Sequence, residues 1–237
     1  MVMKKCVHTI IVDNWFPEMC AITLPLMKAY AKKIGADLNI ISKRLNPTWP
    51  VNYEKMQIWE TGRGYDWNIY IDADIIIDPV RMPDFTELSD PRFFYYEAIL
   101  SPKDQYQSHP YFIRDERNLG ISDCFIMTSD LTHDLWHPAL CDFDTAKRFC
   151  QGNERIVSEF NINLNIARFG LKGLTRIGYD DKHFHLQTTD DYNRQFNGGK
   201  CDMTKAEHLA RALEKVKQME IDLPYFQKQF RVDDLSK

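Results

Sequence analysis

The sequence lacks several features that would place it in a familiar class. None of its six cysteines forms a CxxC pair or a spacing typical of zinc ligands, so we expect buried, reduced thiols. No apolar run approaches the roughly 20 residues of a membrane-spanning helix, and the early CVHTIIV is too short and polar for a signal peptide. No N-x-[ST] sequon occurs, because NPT has proline in its middle. These absences predict a cytoplasmic protein without a transmembrane segment, in the host cytoplasm if the source is viral.

An excess of positive charge is also absent. The formal charge of -4 and a pI near 6.0 argue against a general electrostatic attraction to nucleic acid or anionic membranes. A nucleic-acid partner is therefore not expected. The 237 residues are 44% hydrophobic, which is enough to bury a substantial core, and no repeat or low-complexity linker divides them. We therefore expect one domain over residues 1–237.

Strands and helices alternate in the first part of the sequence. Apolar runs bounded by turn residues predict strands, and apolar residues at helical spacing predict helices, one of which contains Pro25 and is expected to kink there. In chain order the elements are CVHTIIVDN (strand), PEMCAITLPLMKAYAKKIGA (helix), DLNIIS (strand), NYEKMQIWETGRG (helix) and WNIYIDADIII (strand). This order predicts an α/β fold with a mostly parallel sheet flanked by helices.

Two aspartates interrupt the apolar run of the third strand. Side chains of a strand alternate between its faces, so Asp72 and Asp74 are expected to point the same way. Paired carboxylates at the carboxyl edge of such a sheet suit Mg²⁺ or Mn²⁺. The alternative is that the pair begins a turn at the end of the strand, with Asp78-Pro79 as a second turn signal. The isoleucines that follow Asp74 weaken this alternative.

The order of elements, with YEKMQIWE preceding YIDADIII, resembles the nucleotide-sugar glycosyltransferases of the GT-A fold, of the small bacterial or large-DNA-virus type. The resemblance is good over residues 6–78 and loose elsewhere. It implies a Rossmann-like nucleotide-binding half at about residues 1–80, an acceptor and metal-closing half at about 81–200, and a C-terminal helix and tail at 203–237. It also implies that Mn²⁺ or Mg²⁺ assists transfer of a sugar from a nucleoside diphosphate sugar, expected to be a UDP-sugar, to a hydroxyl of a glycan acceptor.

The same resemblance implies the metal ligands. Asp74 is expected to bind the cation directly, and Asp72 to share the cation or bind the ribose hydroxyls. A late histidine is expected to complete the site, and DKHFHLQTT offers His183 and His185. We prefer His185, which precedes a polar loop. An ordinary packed or surface histidine is the alternative.

Other polar residues are candidates for binding the nucleotide. Asp13 and Asn14 end the first strand, where this fold binds base and ribose, although Asn14 ahead of Pro17 is equally suited to cap the helix. Lys55 and Lys200 are candidates to neutralise the diphosphate, and for either lysine a solvated surface role is the alternative.

The sequence gives a less definite indication of the residues that act on the acceptor. An inverting enzyme needs a carboxylate to take the acceptor proton, and the candidates are Asp123, Glu159 and Asp191. A retaining enzyme needs no such base if the leaving phosphate takes the proton, and the resemblance favours retention. Most aromatic residues are expected in the core, but a few could stack on an acceptor sugar, from among Trp49, Tyr95, Tyr96, Tyr106, Tyr111 and Phe112.

Four alternatives compete with this interpretation. A haloacid-dehalogenase-type phosphatase carries D-x-D on its first strand with Thr or Val two places on, whereas here two strands come first and Ile76 occupies that place. A nucleotidyltransferase acting on sugar phosphates usually has a glycine-rich, basic loop after its first strand, which VDNWFPEM does not provide. A non-catalytic binding module, and a glycosyltransferase that modifies DNA, are the remaining alternatives.

Overall fold

The computed structural model describes residues 3–97, 124–150, 152–177 and 204–230. Six strands in this part of the chain form one sheet in the order β2-β1-β3-β5-β4-β6. Strand β1 is parallel to β2 and β3, β4 is parallel to β6, and β5 is antiparallel to β3 and β4, so the sheet is mixed. The strands are β1 Lys5–Ile10, β2 Ala36–Ile41, β3 Trp67–Ile71, β4 Phe94–Glu97, β5 Phe125–Ser129 and β6 Gly173–Ile177.

Helices flank this sheet, which confirms the predicted α/β class. The α-helices are α1 Pro17–Lys33, α2 Ile58–Thr61, α3 Phe143–Phe149, α4 Val157–Phe169, α5 Lys205–Gln218 and α6 Leu223–Gln229. The 3₁₀ helices are Val51–Gln57, Phe85–Leu88, Asp130–Trp136 and Glu154–Ile156. The second predicted helix is thus mostly 3₁₀, followed by the single turn α2. Within the described residues, no helix is long and apolar enough to cross a membrane.

The alternation of side chains along β3 divides the core between the two faces of the sheet. Ile69 and Ile71 pack with the α1 residues Met27 and Tyr30. Tyr70 faces the opposite way, into a second cluster that includes residues of 3₁₀ helix 51–57 and of α4. A third cluster joins α1 to α5 and α6. The five described cysteines are free thiols, and four of them are buried, as predicted.

Proline in the middle of α1 is compensated by a side chain from α6. Pro25 has no N–H, so the carbonyl of Ala21, four residues earlier, has no helical donor from that position. Gln227 Nε2 donates to this oxygen at 2.9 Å. The helix continues through Pro25, and one of its carbonyls bonds to the C-terminal part of the chain.

A buried histidine links the three parallel strands. His8 is fully buried; its Nε2 donates to Asn68 Oδ1 at 2.9 Å and its Nδ1 accepts from Asn39 Nδ2 at 3.0 Å. A second ring proton would point at the Asn39 amide, which is itself a donor, so this arrangement suits the neutral ring. Burial lowers the pKa of His8 to about 4. Asn68 also donates to the Gly62 carbonyl. The two residues are so close that a Cβ on Gly62 would lie 2.5 Å from Asn68 Oδ1.

We predict that His8 makes stability depend on pH in the acid range. The unfolded chain binds a proton at His8 near pH 6.5, whereas the folded chain binds it only near pH 4, so stability falls as the pH is lowered between these values. The loss is on the order of 3 kcal/mol. Urea unfolding from pH 7 to pH 4 should show a shallower dependence for His8→Gln, and an unchanged one for the control His208→Gln. An unchanged dependence in His8→Gln would refute the assignment.

A second prediction concerns the contact between Pro25 and α6. Gln227→Ala should lower the free energy of unfolding by about 1 kcal/mol, because it removes the donor to the Ala21 carbonyl. In a Pro25→Ala background the restored backbone N–H bonds to that carbonyl, so the same change should have little effect. A double-mutant cycle measured by urea unfolding gives the coupling. Equal effects in the two backgrounds would contradict this account.

Candidate active site

The carboxyl ends of β1 and β3 open onto one cavity of about 330 Å³. Its apolar walls come from β1, from β3 and from the start of 3₁₀ helix 51–57, and three carboxylates lie among them. Parallel strands bring the ends of β1 and β3 to the same edge of the sheet, which is where ligands bind in such folds. The cavity is lined by Ile10, Val12, Asp13, Trp15, Val51, Asn52, Tyr70, Asp72, Ala73 and Asp74.

The two aspartates lie in a turn, and the prediction that they alternate along a strand is wrong. Strand β3 ends at Ile71. Asp72 N then donates to Cys124 O at 2.8 Å, and Ile75 N donates back to Asp72 O at 3.1 Å, which closes the turn. The turn brings both Asp72 and Asp74 to the cavity wall. The geometry is thus that of the alternative weighed above, a turn at the end of the strand.

The carboxylate of Asp72 has two partners on the face of the sheet that packs against 3₁₀ helix 51–57. The Tyr70 hydroxyl donates to Asp72 Oδ1. Lys55 Nζ lies 3.8 Å from the same oxygen and 4.7 Å from the centroid of the Tyr70 ring. The Lys55 side chain is only 1% exposed, so Asp72 and the Tyr70 ring balance a charge that solvent does not reach. Lys55 thus contacts the site through Asp72 and is not among the residues lining the cavity.

Asp74 differs from Asp72 in its surroundings. It is half-buried, and no described residue hydrogen-bonds or forms an ion pair with its carboxylate. Burial and, to a smaller extent, the charge of Asp74 raise the pKa of the Cys20 thiol to about 11. A carboxylate open to a cavity beside a second carboxylate is a hard-oxygen donor set that fits Mg²⁺ or Mn²⁺. Among the described residues no third ligand joins the pair.

The loop between β1 and α1 forms another wall of the cavity. Asp13, Asn14 and Phe16 all have positive φ angles, a conformation that side chains rarely adopt. This loop presents Asp13 and the 39% exposed Trp15 to the cavity. Asn14 is exposed and does not cap α1, because the residue at the cap is Phe16 and no side chain bonds there. A capping role for Asn14 is therefore wrong.

A buried carboxylate organises the neighbouring loop. Glu54 is fully buried and accepts hydrogen bonds from the backbone amides of Leu45 and Asn46, at 3.1 and 2.9 Å. Arg44 lies between this carboxylate and the cavity, with Nε 3.8 Å from Glu54 Oε1 and Nη1 3.9 Å from Asp13 Oδ2. Glu54 therefore helps to place the Arg44 guanidinium beside Asp13.

The structure brings together only some of the predicted residues. Asp13, Asp72 and Asp74 share the cavity, whereas Glu159 lies in the first turn of α4 and does not line it. Among the candidate aromatic residues Tyr95 and Tyr96 are buried, and Trp49 stacks on Tyr53 with 3.9 Å between ring centroids. The remaining predicted residues lie outside the described residues: Asp123, His183, His185, Asp191, Lys200, Tyr106, Tyr111 and Phe112.

Among the residues that line or shape the site, Tyr70, Trp15 and Arg44 are not singled out by the sequence. Tyr70 precedes Asp72 by two positions, and it was read only as part of an apolar strand. Trp15 follows the polar end of the first strand, a position that could have marked it as exposed. Arg44 carries no local signal for the site, because its two carboxylate partners, Glu54 and Asp13, are 10 and 31 residues away in the sequence.

No protein-family model and no curated protein matches the sequence. A glycosyltransferase involved in the glycosylation of the major capsid of PBCV-1 is similar in structure, with a TM-score of 0.50 and 11% identity over 89% of this chain and 98% of that chain. The chain has a glycosyltransferase fold.

Further solved structures of glycosyltransferases match less well. The galactosyltransferase LgtC, in complex with donor and acceptor sugar analogs, has a TM-score of 0.44 and 12% identity over 71% of this chain and 72% of that chain. GlyE of Streptococcus pneumoniae TIGR4 has a TM-score of 0.48 and 10% identity over 99% of this chain and 64% of that chain.

We predict that the two aspartates differ in their effect on stability. Asp72→Asn removes the negative charge beside the buried Lys55 ammonium and should lower the free energy of unfolding by about 2 kcal/mol. Asp74→Asn should change it by less than about 0.5 kcal/mol, because no described side chain depends on that charge. Urea unfolding of both variants without added metal is the measurement. Equal losses would show that Asp74 also has a structural partner.

Proposed function

We propose that the chain is a metal-dependent glycosyltransferase that transfers a sugar from a UDP-sugar to a hydroxyl of a glycan acceptor. The observation that carries the proposal is the Asp74 carboxylate, which is open to a cavity at the carboxyl edge of the sheet and lies beside Asp72. The glycosyltransferase fold of the chain supports the reaction class. The choice of UDP, the divalent cation and the glycan acceptor follow from the sequence resemblance.

The described residues suit the parts of a nucleoside diphosphate. Trp15 offers an exposed ring at the cavity wall, on which a base can stack. Asp13, in the same loop, can accept hydrogen bonds from ribose hydroxyls. Asp72 and Asp74 would hold Mn²⁺ or Mg²⁺, which when bound stabilises the negative charge of a departing diphosphate. His185 remains our candidate for a further ligand.

Lys55 and Tyr70 fix the orientation of Asp72. The hydroxyl of Tyr70 donates to Asp72 Oδ1, and the ammonium of Lys55 lies near the same oxygen. Because Lys55 is buried, its role in this proposal is to hold the carboxylate and to lower the negative potential of the site, rather than to touch the diphosphate directly.

We propose retention of the anomeric configuration, as the resemblance favours. In that case the leaving phosphate takes the acceptor proton, and no protein base is needed. Asp123, Glu159 and Asp191 are the candidates if the reaction inverts. The stereochemistry of the product, read by NMR from the anomeric proton, decides between the two courses.

Calorimetry with UDP in the presence and absence of Mn²⁺ tests the proposal. We expect binding that needs the cation, and a loss of at least about tenfold in affinity for Asp74→Asn because a direct ligand is removed. Asp144→Asn is the matched control, since Asp144 is exposed on α3 and outside the cavity. A panel of UDP- and GDP-sugars, assayed for donor hydrolysis, then identifies the donor. Binding that is indifferent to Mn²⁺, or that survives Asp74→Asn, would refute the proposal.

A further inference from the structure

Besides the bond from Tyr70 to the Asp72 side chain, three hydrogen bonds between described residues reach the backbone of the turn that carries the two aspartates. Two of them join backbone groups, from Asp72 N to Cys124 O and from Ile75 N to Asp72 O. The third comes from a side chain: Thr23 Oγ1 in α1 donates to Ala73 O at 2.6 Å. This third bond is the one that a substitution can remove without changing the turn sequence itself.

The bond from Thr23 fixes the peptide unit that leads into Asp74. The Ala73 carbonyl and the Asp74 N–H belong to one planar unit, so holding the oxygen sets the direction from which the Asp74 side chain leaves the backbone. Asp72 has Tyr70 and Lys55 to orient its carboxylate. Asp74 has no such partner among the described residues, and its orientation depends on the backbone.

The surroundings of Thr23 leave little alternative to this bond. Thr23 is fully buried and Ala73 is 7% exposed, in a cluster with Cys20 and Leu24, so water has poor access to the Ala73 carbonyl. The hydroxyl has a second acceptor within its own helix, Met19 O, at the longer distance of 3.2 Å. Loss of the hydroxyl would leave the Ala73 carbonyl without this donor and would weaken the hold on this peptide unit.

We propose that Thr23 is a positioning residue for the carboxylate pair and that it sets the cation preference of the site. This inference rests on the proposed function. Mg²⁺ requires near-ideal octahedral geometry at short distances, whereas Ca²⁺ accepts flexible and varied arrangements of oxygen ligands. A turn held in one arrangement therefore favours Mg²⁺, the smaller ion. A turn that can move should bind Mg²⁺ less tightly, while its affinity for Ca²⁺ should change little. Thr23 itself touches neither cation nor substrate.

The test compares Mg²⁺ and Ca²⁺ binding in the presence of UDP, by calorimetry, for the unmodified chain, Thr23→Val and Thr23→Ser. Valine has the shape of threonine without the hydroxyl, so Thr23→Val should weaken Mg²⁺ binding about tenfold and Ca²⁺ binding about twofold or less. Thr23→Ser keeps the donor and should retain the original preference. Circular dichroism checks that each variant is folded.

Three outcomes would overturn the inference. Unchanged Mg²⁺ affinity in Thr23→Val would show that the bond does not position the pair. An equal loss for both cations, or a loss of preference in Thr23→Ser as well, would assign Thr23 a general role in packing. In these cases the unmodified chain still binds cation and UDP, and the proposed function stands. If the unmodified chain binds Mn²⁺ with UDP but neither Mg²⁺ nor Ca²⁺, the inference alone fails. If it binds none of the three cations with UDP, the proposed function fails together with the inference.

Discussion

The site depends on the burial of one ammonium group beneath a carboxylate. Lys55 is almost without solvent contact, so its charge must be balanced by groups that the fold supplies. Asp72 and the Tyr70 ring are two of these groups; Tyr70 lies in β3 and Asp72 directly follows the strand. This requirement ties 3₁₀ helix 51–57 to the strand and brings Val51 and Asn52 to the cavity. The same arrangement balances the charge of Asp72, so the negative charge that faces the cavity beside it is that of Asp74.

Helix α1 holds the other side of the site. At its N-terminal end the strained loop presents Asp13 and Trp15, and the Cys20 thiol donates to the Trp15 carbonyl at 3.3 Å. One turn later Thr23 reaches the turn between the aspartates. The cavity therefore lies between 3₁₀ helix 51–57, which contacts Asp72 through Lys55, and α1, which bonds to Ala73 through Thr23. The edge of the sheet alone would not place the walls of the cavity.

Periodicity predicted much of the fold, but it did not predict the turn that carries the two aspartates or the long-range contacts around it. The strands β1, β2 and β3 and the helix α1 follow from local patterns, and all are found. The turn at Asp72 was judged the weaker alternative, because isoleucines after it look like a continuing strand. They are buried beyond the turn instead, in different clusters: Ile75 and Ile77 pack against the α1 side, and Ile76 packs with α5 and α6. The partners of Arg44 and the reach of Thr23 to position 73 are long-range contacts, which no local pattern records.

The hydrogen bond from Gln227 to the carbonyl freed by Pro25 has a consequence for the history of the chain. Proline at this position costs less where another donor reaches the Ala21 carbonyl, and a glutamine at 227 gains this hydrogen bond only where that carbonyl lacks its helical donor. Each residue thus changes the selection acting on the other, although 202 positions separate them in the sequence. In related chains these two positions are expected to vary together, and their covariation would carry information that neither position holds alone.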